Sequence, residues 1–199
     1  MYQIVPQIEF SDLSTLSAEA VAEVRKRGCF VLRGVIPEAV ASAYNDATTQ
    51  YCKVDNKSVI KGFPEDDKMV FEAYWSPSEL KARSHPNMIA AQTFANQLWH
   101  TSSADLPVDL SFPVTYADRL RQRKPGDAKF ALGPHVDAGS LERWEDPVYM
   151  SAFGKILQGR WEDYDAWDCE ARPNAVSDLY QGAGACAVWR AFQGWLALS

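Results

Sequence analysis

Leu132-Gly133-Pro134-His135-Val136-Asp137 is the stretch on which the reading of this chain turns. Side chains two apart on a strand point to the same face. His135 and Asp137 can therefore aim an imidazole nitrogen and a carboxylate oxygen at one point. Together they supply two of the three ligands of a 2-His-1-carboxylate facial triad. Such a triad leaves positions on iron open for a bidentate co-substrate and dioxygen. Taken alone the pair is a weak signal, because a surface or core-polar His-x-Asp satisfies the same spacing.

The flanking residues read as a β-hairpin. Val114 to Asp127 alternate in character, with Arg119, Arg121 and Arg123 two apart, and end in the turn Pro125-Gly126-Asp127. Residues 129–137 form the returning strand. Upstream the pattern is helical. Ser17 caps SAEAVAEVRKR, Glu19 sits in its first turn, Arg25 to Arg27 sit in its last, and Gly28 closes it. A short β-type run covers 29–35, and Pro37 falls at the first turn of the next helix. Residues 51–84 are irregular and polar until Ser76 and Pro77 open another helix. A further helix covers 88–100. Residues 151–180 are mixed, and ACAVWRAFQGWLALS at the end is β-like. Helices first and strands later define an α+β class. No linker or repeat interrupts the chain. The expectation is one domain over 1–199, helical over about 1–110 and β-rich over about 114–199.

Composition narrows the function. The 199 residues are 47% hydrophobic, enough for a real core. The net charge of −6 argues against a nucleic-acid surface, where a basic stripe supplies affinity. No apolar run is long enough to span a bilayer, and the N-terminus lacks the pattern of a signal peptide. Cys29, Cys52, Cys169 and Cys186 form no CxxC pair and read as reduced, packed thiols. A cytoplasmic location is the resulting expectation. Trp144, Trp161, Trp167 and Trp189 cluster in the second half. They read as core, or as the wall of a small-molecule pocket.

Several blocks together resemble a known family. They are GCFVLRGVIP at 28–37, SPSELKARSHPNM at 76–88, LGPHVDAGSLERW at 132–144, GRWEDYDAWD at 159–168 and WRAFQGWLALS at 189–199. The chain is similar to domain-of-unknown-function family 1479, which groups with iron(II)/2-oxoglutarate dioxygenases. The resemblance implies a double-stranded β-helix (jelly-roll, cupin-like) core. It also implies His135 and Asp137 as metal ligands, Fe(II) as the metal and 2-oxoglutarate as co-substrate. The implied reaction is oxidation or hydroxylation of a small organic molecule.

The pattern is incomplete. The third ligand of such a triad comes from a later strand, yet the only histidines are His85, His100 and His135. The basic residue that anchors the co-substrate lies beyond that missing histidine. A jelly roll closes with about eight strands, and roughly four or five are readable here. Open strand edges would favour a homo-oligomer. Candidate carboxylate clamps are Arg121 (with its strand neighbours), Arg143 and Arg190. Arg143 is equally placed to pair with Glu145 or Asp146, and the three hairpin arginines read first as a wet face, with inward-facing clamps for 2-oxoglutarate or an acidic substrate as the alternative. Three readings stand: a truncated oxygenase, a variant that borrows a ligand from His100, Glu142 or a partner subunit, and a scaffold that has left iron chemistry. The last would bind a small molecule, or act as a metal-independent isomerase or cyclase with His135 and Asp137 as acid and base.

Overall fold

The first helix begins and ends where its residues dictate. In the computed structural model, which describes residues 4–115, 118–127, 133–135, 141–182 and 188–198, Ser17 Oγ accepts the Ala20 N–H at 3.2 Å. Helix α1 runs Ala18–Arg27, and Gly28 closes it at φ 69°, its N–H bonding Val24 O at 2.9 Å. A left-handed closing residue suits glycine, which has no Cβ to clash. Strand β1 (Gln7–Glu9) pairs in parallel with β2 (Val31–Arg33). A parallel pair needs a crossover, and α1 supplies it. The strand expected over 29–35 is thus shorter than its apolar run.

Helix α2 spans Glu38–Gln50 and passes into a π-helical turn, Tyr51–Asp55. Pro37 stands one position before the helix, not inside its first turn. Its carbonyl accepts from Val40 and Ala41, both at 2.9 Å. Residues 51–84 hold more structure than their polarity suggested. Strands β3 (Gly62–Phe63) and β4 (Val70–Phe71) pair antiparallel, and β5 (Leu120–Arg121) extends the sheet in the order β3-β4-β5. The cause is a small core of Cys52, Ile60, Phe71 and Ala73, against which Tyr51 and Leu120 pack. Four apolar side chains spread over more than 20 residues leave no local periodicity to read.

Helix α3 (Pro77–Arg83) carries a complete capping box between Ser76 and Glu79. Helix α4 runs Pro86–Asn96. His85 precedes it, its Nδ1 accepting the Asn87 N–H at 3.2 Å and its carbonyl accepting from Met88 and Ile89. That is a capping role. Val35, Ile36 and Ala41 form a second core with Met88, Ala91, Leu196 and Leu198 around it.

The chain divides into two compact units. One holds Met1–Phe94, Pro113–Ala131 and Gly194–Ser199; the other holds Ala95–Phe112 and Leu132–Gln193. The second contains three short helices, α5 (Glu142–Glu145), α6 (Pro147–Ser151) and α7 (Gly154–Leu157). Asp146, buried, caps α6 by accepting the Tyr149 N–H at 2.7 Å, and also accepts Val176 N–H at 3.2 Å.

Two strand expectations fare differently. The first hairpin arm shrinks to Leu120–Arg121, followed by a turn with Gly126 at φ 76° and Asp127 N–H on Lys124 O at 3.1 Å. The returning arm lies largely outside the described residues, and 133–135 are not in a strand. The apolar run near the C-terminus forms no strand over 188–198. Its residues are used as packing groups instead, Leu196 and Leu198 on the Val35 core and Trp189 on Trp99. A short apolar run does not by itself specify strand pairing. Among the described residues, 114–199 contain β5 as their one strand, so the jelly-roll expectation rests on the family resemblance. No helix among the described residues is long and apolar enough to cross a membrane.

Candidate functional site

His135 lies exposed, with its Nδ1 2.8 Å from the Gly133 carbonyl oxygen. A carbonyl only accepts, so Nδ1 carries the proton in this contact. In the neutral ring Nε2 then holds the lone pair. This is the arrangement of a metal-binding imidazole, in which the second nitrogen is fixed by a backbone acceptor. Asp137, the proposed second ligand, lies outside the described residues. Among the described residues no group of three His, Cys, Asp or Glu side chains is placed to hold a metal ion. His135 thus offers one nitrogen donor.

The candidate clamps fall in different places. Arg121 is exposed on β5, opposite in direction to Leu120, which faces the Cys52 core. Its neighbour Arg119 donates through Nε to the Tyr74 hydroxyl at 3.0 Å and lies 3.7 Å from Glu72. The alternation of arginines is therefore real, and it faces outward. Arg143, half-buried on α5, has its guanidinium 5.4 Å from the Tyr149 ring centre and donates to the Tyr149 hydroxyl at 3.3 Å. Asp146 is committed to capping α6. Arg190 is exposed beside the half-buried Trp189.

His100 is better placed than its sequence position suggested. Helix α4 ends at Asn96, so His100 stands beyond it and not on its last turn. Its Nε2 is 2.8 Å from Asp165 Oδ2, and both side chains are half exposed. Its backbone bridges to Asp168, with His100 N–H on Trp167 O at 3.0 Å and Cys169 N–H on His100 O at 2.9 Å. Burial opposes ionisation of Asp165. The Trp167 N–H and His100 outweigh it and hold the carboxyl below its usual range.

The tryptophans gather around this bridge. Trp99 packs on Trp167 at 5.0 Å and edge-on to Trp189 at 5.3 Å, and Trp167 stacks on Phe192 at 5.9 Å. The Trp99 indole N–H donates to Ala191 O at 3.2 Å. Arg172 lies 5.0 Å from the Trp99 ring and 5.6 Å from Phe153, and donates to the Tyr164 hydroxyl at 3.1 Å. These half-buried rings pack on one another and on Arg172, so their exposed area is shared among them and does not line an open pocket wall. Trp144 and Trp161 remain exposed. The His100–Asp165 pair and the Arg172 sandwich join residues far apart in sequence, and no spacing signal announces them. Cys169 sits beneath the bridge, fully buried, and burial pushes its thiol up.

The chain belongs to the Gig2-like family, whose model matches residues 1–199. It is 30% identical over 206 residues to the Escherichia coli protein YbiU, itself uncharacterised, a match covering 98% of this chain and 49% of YbiU. Among solved structures it resembles a hypothetical E. coli protein, JW0805, determined at high pH. The TM-score is 0.82 at 30% identity, covering 99% of this chain and 48% of that one. It also resembles a Salmonella typhimurium LT2 protein described, provisionally, as an oxidoreductase, with TM-score 0.76, 32% identity, 87% of this chain and 44% of that one. The GlcNAc Inducible Gene 2 protein of Candida albicans, which carries the DUF1479 designation, matches with TM-score 0.79 at 29% identity, covering 89% and 38%. The chain thus spans about half the length of the relatives it matches, or less.

Proposed function

We propose that this chain carries part of an oxygenase site in which His135 and Asp137 hold iron(II) and 2-oxoglutarate is the co-substrate. The observation that supports this most directly is the His135 ring, whose Nδ1–H is engaged by Gly133 O so that Nε2 is the basic nitrogen. The Gig2-like membership and the oxidoreductase description of the Salmonella relative point the same way. The metal, when bound, would supply dioxygen activation coupled to decarboxylation of the 2-oxo acid. One oxygen atom would go to succinate and the other to the substrate, with carbon dioxide released. The protein's own work is orientation and charge. The Gly133 carbonyl fixes the His135 tautomer. Asp137 contributes the anionic ligand. Arg143, half-buried and braced on Tyr149, is the best placed of the three arginines to meet a carboxylate with a pre-oriented guanidinium. Arg190, exposed in the same unit as His135, would contribute long-range attraction for an anionic co-substrate.

The test is succinate formation from 2-oxoglutarate with iron(II) and air, comparing the chain with His135→Ala. Succinate from the parent and none from a folded variant is the expected result. A folded parent that makes no succinate and gains no iron would refute iron chemistry in this chain. Metal-independent small-molecule binding or rearrangement would then take its place.

A further inference from the structure

The second unit displays an apolar surface that its own residues leave open. Between 141 and 161, Leu141, Trp144, Val148, Ile156, Leu157 and Trp161 are 58%, 54%, 40%, 42%, 55% and 65% exposed. Single exposed apolar residues are ordinary. Six within one short helical segment form the pattern of an interaction surface.

The segment that carries them is built, not loose. The Phe153 ring lies 5.9 Å from Trp144, 6.0 Å from Tyr149 and 6.5 Å from Tyr164. Asp146, 7% exposed, fixes the junction of α5 and α6 and ties it to Val176. Helix α7 closes onto the following turn through the Arg160 N–H on Lys155 O at 2.8 Å and Lys155 Nζ on Asp163 O at 2.8 Å. A scaffold with this many fixed points holds its apolar side chains outward at a standing cost in solvation.

The relatives indicate what offsets that cost. The E. coli structure superposes on 99% of this chain while 48% of its own length is used. The Salmonella and Candida structures use 44% and 38% of theirs. The shared half keeps its fold at TM-scores of 0.76 to 0.82. More than half of each of these relatives lies outside the matched part.

We propose that the outward face of α5–α7 is the docking surface for the part of the Gig2-like architecture that this chain does not span. The occupant is further polypeptide of the same family, joined to this half or supplied beside it. A second copy of this chain fits the surface less well. Leaving out the buried Asp146, residues 141–168 carry six acidic and three basic side chains. A two-fold pairing through this face would set that acidic rim against its own copy. The complementary segment should therefore bring apolar side chains inside a basic rim. The inference needs neither iron nor His135, so it stands or falls apart from the oxygenase reading.

Hydroxyl-radical footprinting tests it on whole proteins. The chain alone and full-length YbiU would be labelled side by side, reading Trp144, Leu157 and Trp161 and their aligned positions in YbiU. Sedimentation would give the oligomeric state of both. The expected result is fast labelling in this chain and severalfold slower labelling at the aligned YbiU positions in a monomer. Equal labelling in the two would overturn the proposal. So would protection of Trp144 and Leu157 in a self-associated form of this chain that Trp144→Asp disperses, because the occupant would then be a second copy.

Discussion

Glu79 is the residue whose removal the structure prices most fully. Its Oε2 accepts the Ser76 N–H at 3.3 Å, closing the capping box, and its Oε1 accepts Arg83 Nη2 at 2.8 Å and the Asp118 N–H at 3.4 Å. The Glu79 and Arg83 side chains are only 14% and 15% exposed. One carboxylate thus joins the start of α3, its own last turn and the segment that leads into β5. Glu79→Ala strands the two backbone donors, at about 1 kcal/mol each, and removes a charged partner from a shielded guanidinium, at about 1–2 kcal/mol more. The expected loss is about 2–4 kcal/mol. Glu79→Gln keeps one acceptor oxygen and turns the other position into an NH2 donor, so one of these contacts is lost and the cost should be about 1–2 kcal/mol. The pH dependence has a defined sign. Burial first, and the Asp118 carboxyl next, push the Glu79 carboxyl above its usual range. Across the window from about 4.3 up to that raised value, the folded chain binds more protons than the unfolded one. Stability from this group is greatest below the window and falls as pH rises through it. The advantage of the parent over Glu79→Gln should therefore shrink with rising pH. Urea midpoints for the three proteins at acidic and alkaline pH measure both effects. An alanine variant within about 0.5 kcal/mol of the parent, or a parent advantage that grows with pH, would refute the reasoning.

Two further outcomes follow from backbone and charge geometry. Gly28→Ala should cost about 1 kcal/mol from the left-handed φ of 69° alone, since a Cβ there meets nothing within 4 Å. Gly62→Ala should cost more, about 1–3 kcal/mol, because its Cβ would lie 2.5 Å from Val70 O on the paired strand; thermal melts giving the reverse order would contradict this account of the sheet. Asp165→Asn should flatten the acid limb of the stability curve. The carboxyl titrates below its usual range despite burial, so its contribution is present above about 3.9 and lost as pH falls through the lowered value. Both partners are half exposed, so at neutral pH the loss should stay below about 1 kcal/mol, and an unchanged acid limb in urea titrations would argue against the pairing.

What could be read from the sequence was local. Ser17 and Gly28 bound α1, and Ser76-Pro77 with Glu79 start α3, because a cap is satisfied within four residues and needs no distant partner. His85 caps α4 by the same kind of local contact, its Nδ1 accepting the N–H two residues on. Of the His135-x-Asp137 pair only His135 lies among the described residues, and it is not in a strand, so the pair stands on its sequence signal. The two-residue strands β3 and β4 were not, because nothing in GF or VF marks a strand until Cys52 and Leu120 close a core over them. Arg143 illustrates the intermediate case. Its neighbours Glu145 and Asp146 are ready partners by spacing, but Asp146 serves the α6 cap and Arg143 turns to Tyr149.

The sequence by itself determined the helix starts and stops, the candidate ligand His135 and the family; that Arg121 faces outward was decided by the packing of Leu120 on the Cys52 core. Tertiary structure alone decided that His100 meets Asp165, that Trp99 gathers Trp167, Trp189 and Arg172, and that the apolar run near residue 190 spends its side chains on packing instead of a strand. The physical reason is range. A cap or a turn is an interaction between neighbours, whose partners sit in the same few residues. An ion pair spanning 65 positions, or an indole hydrogen bond spanning 92, exists only once the intervening chain has brought its ends together.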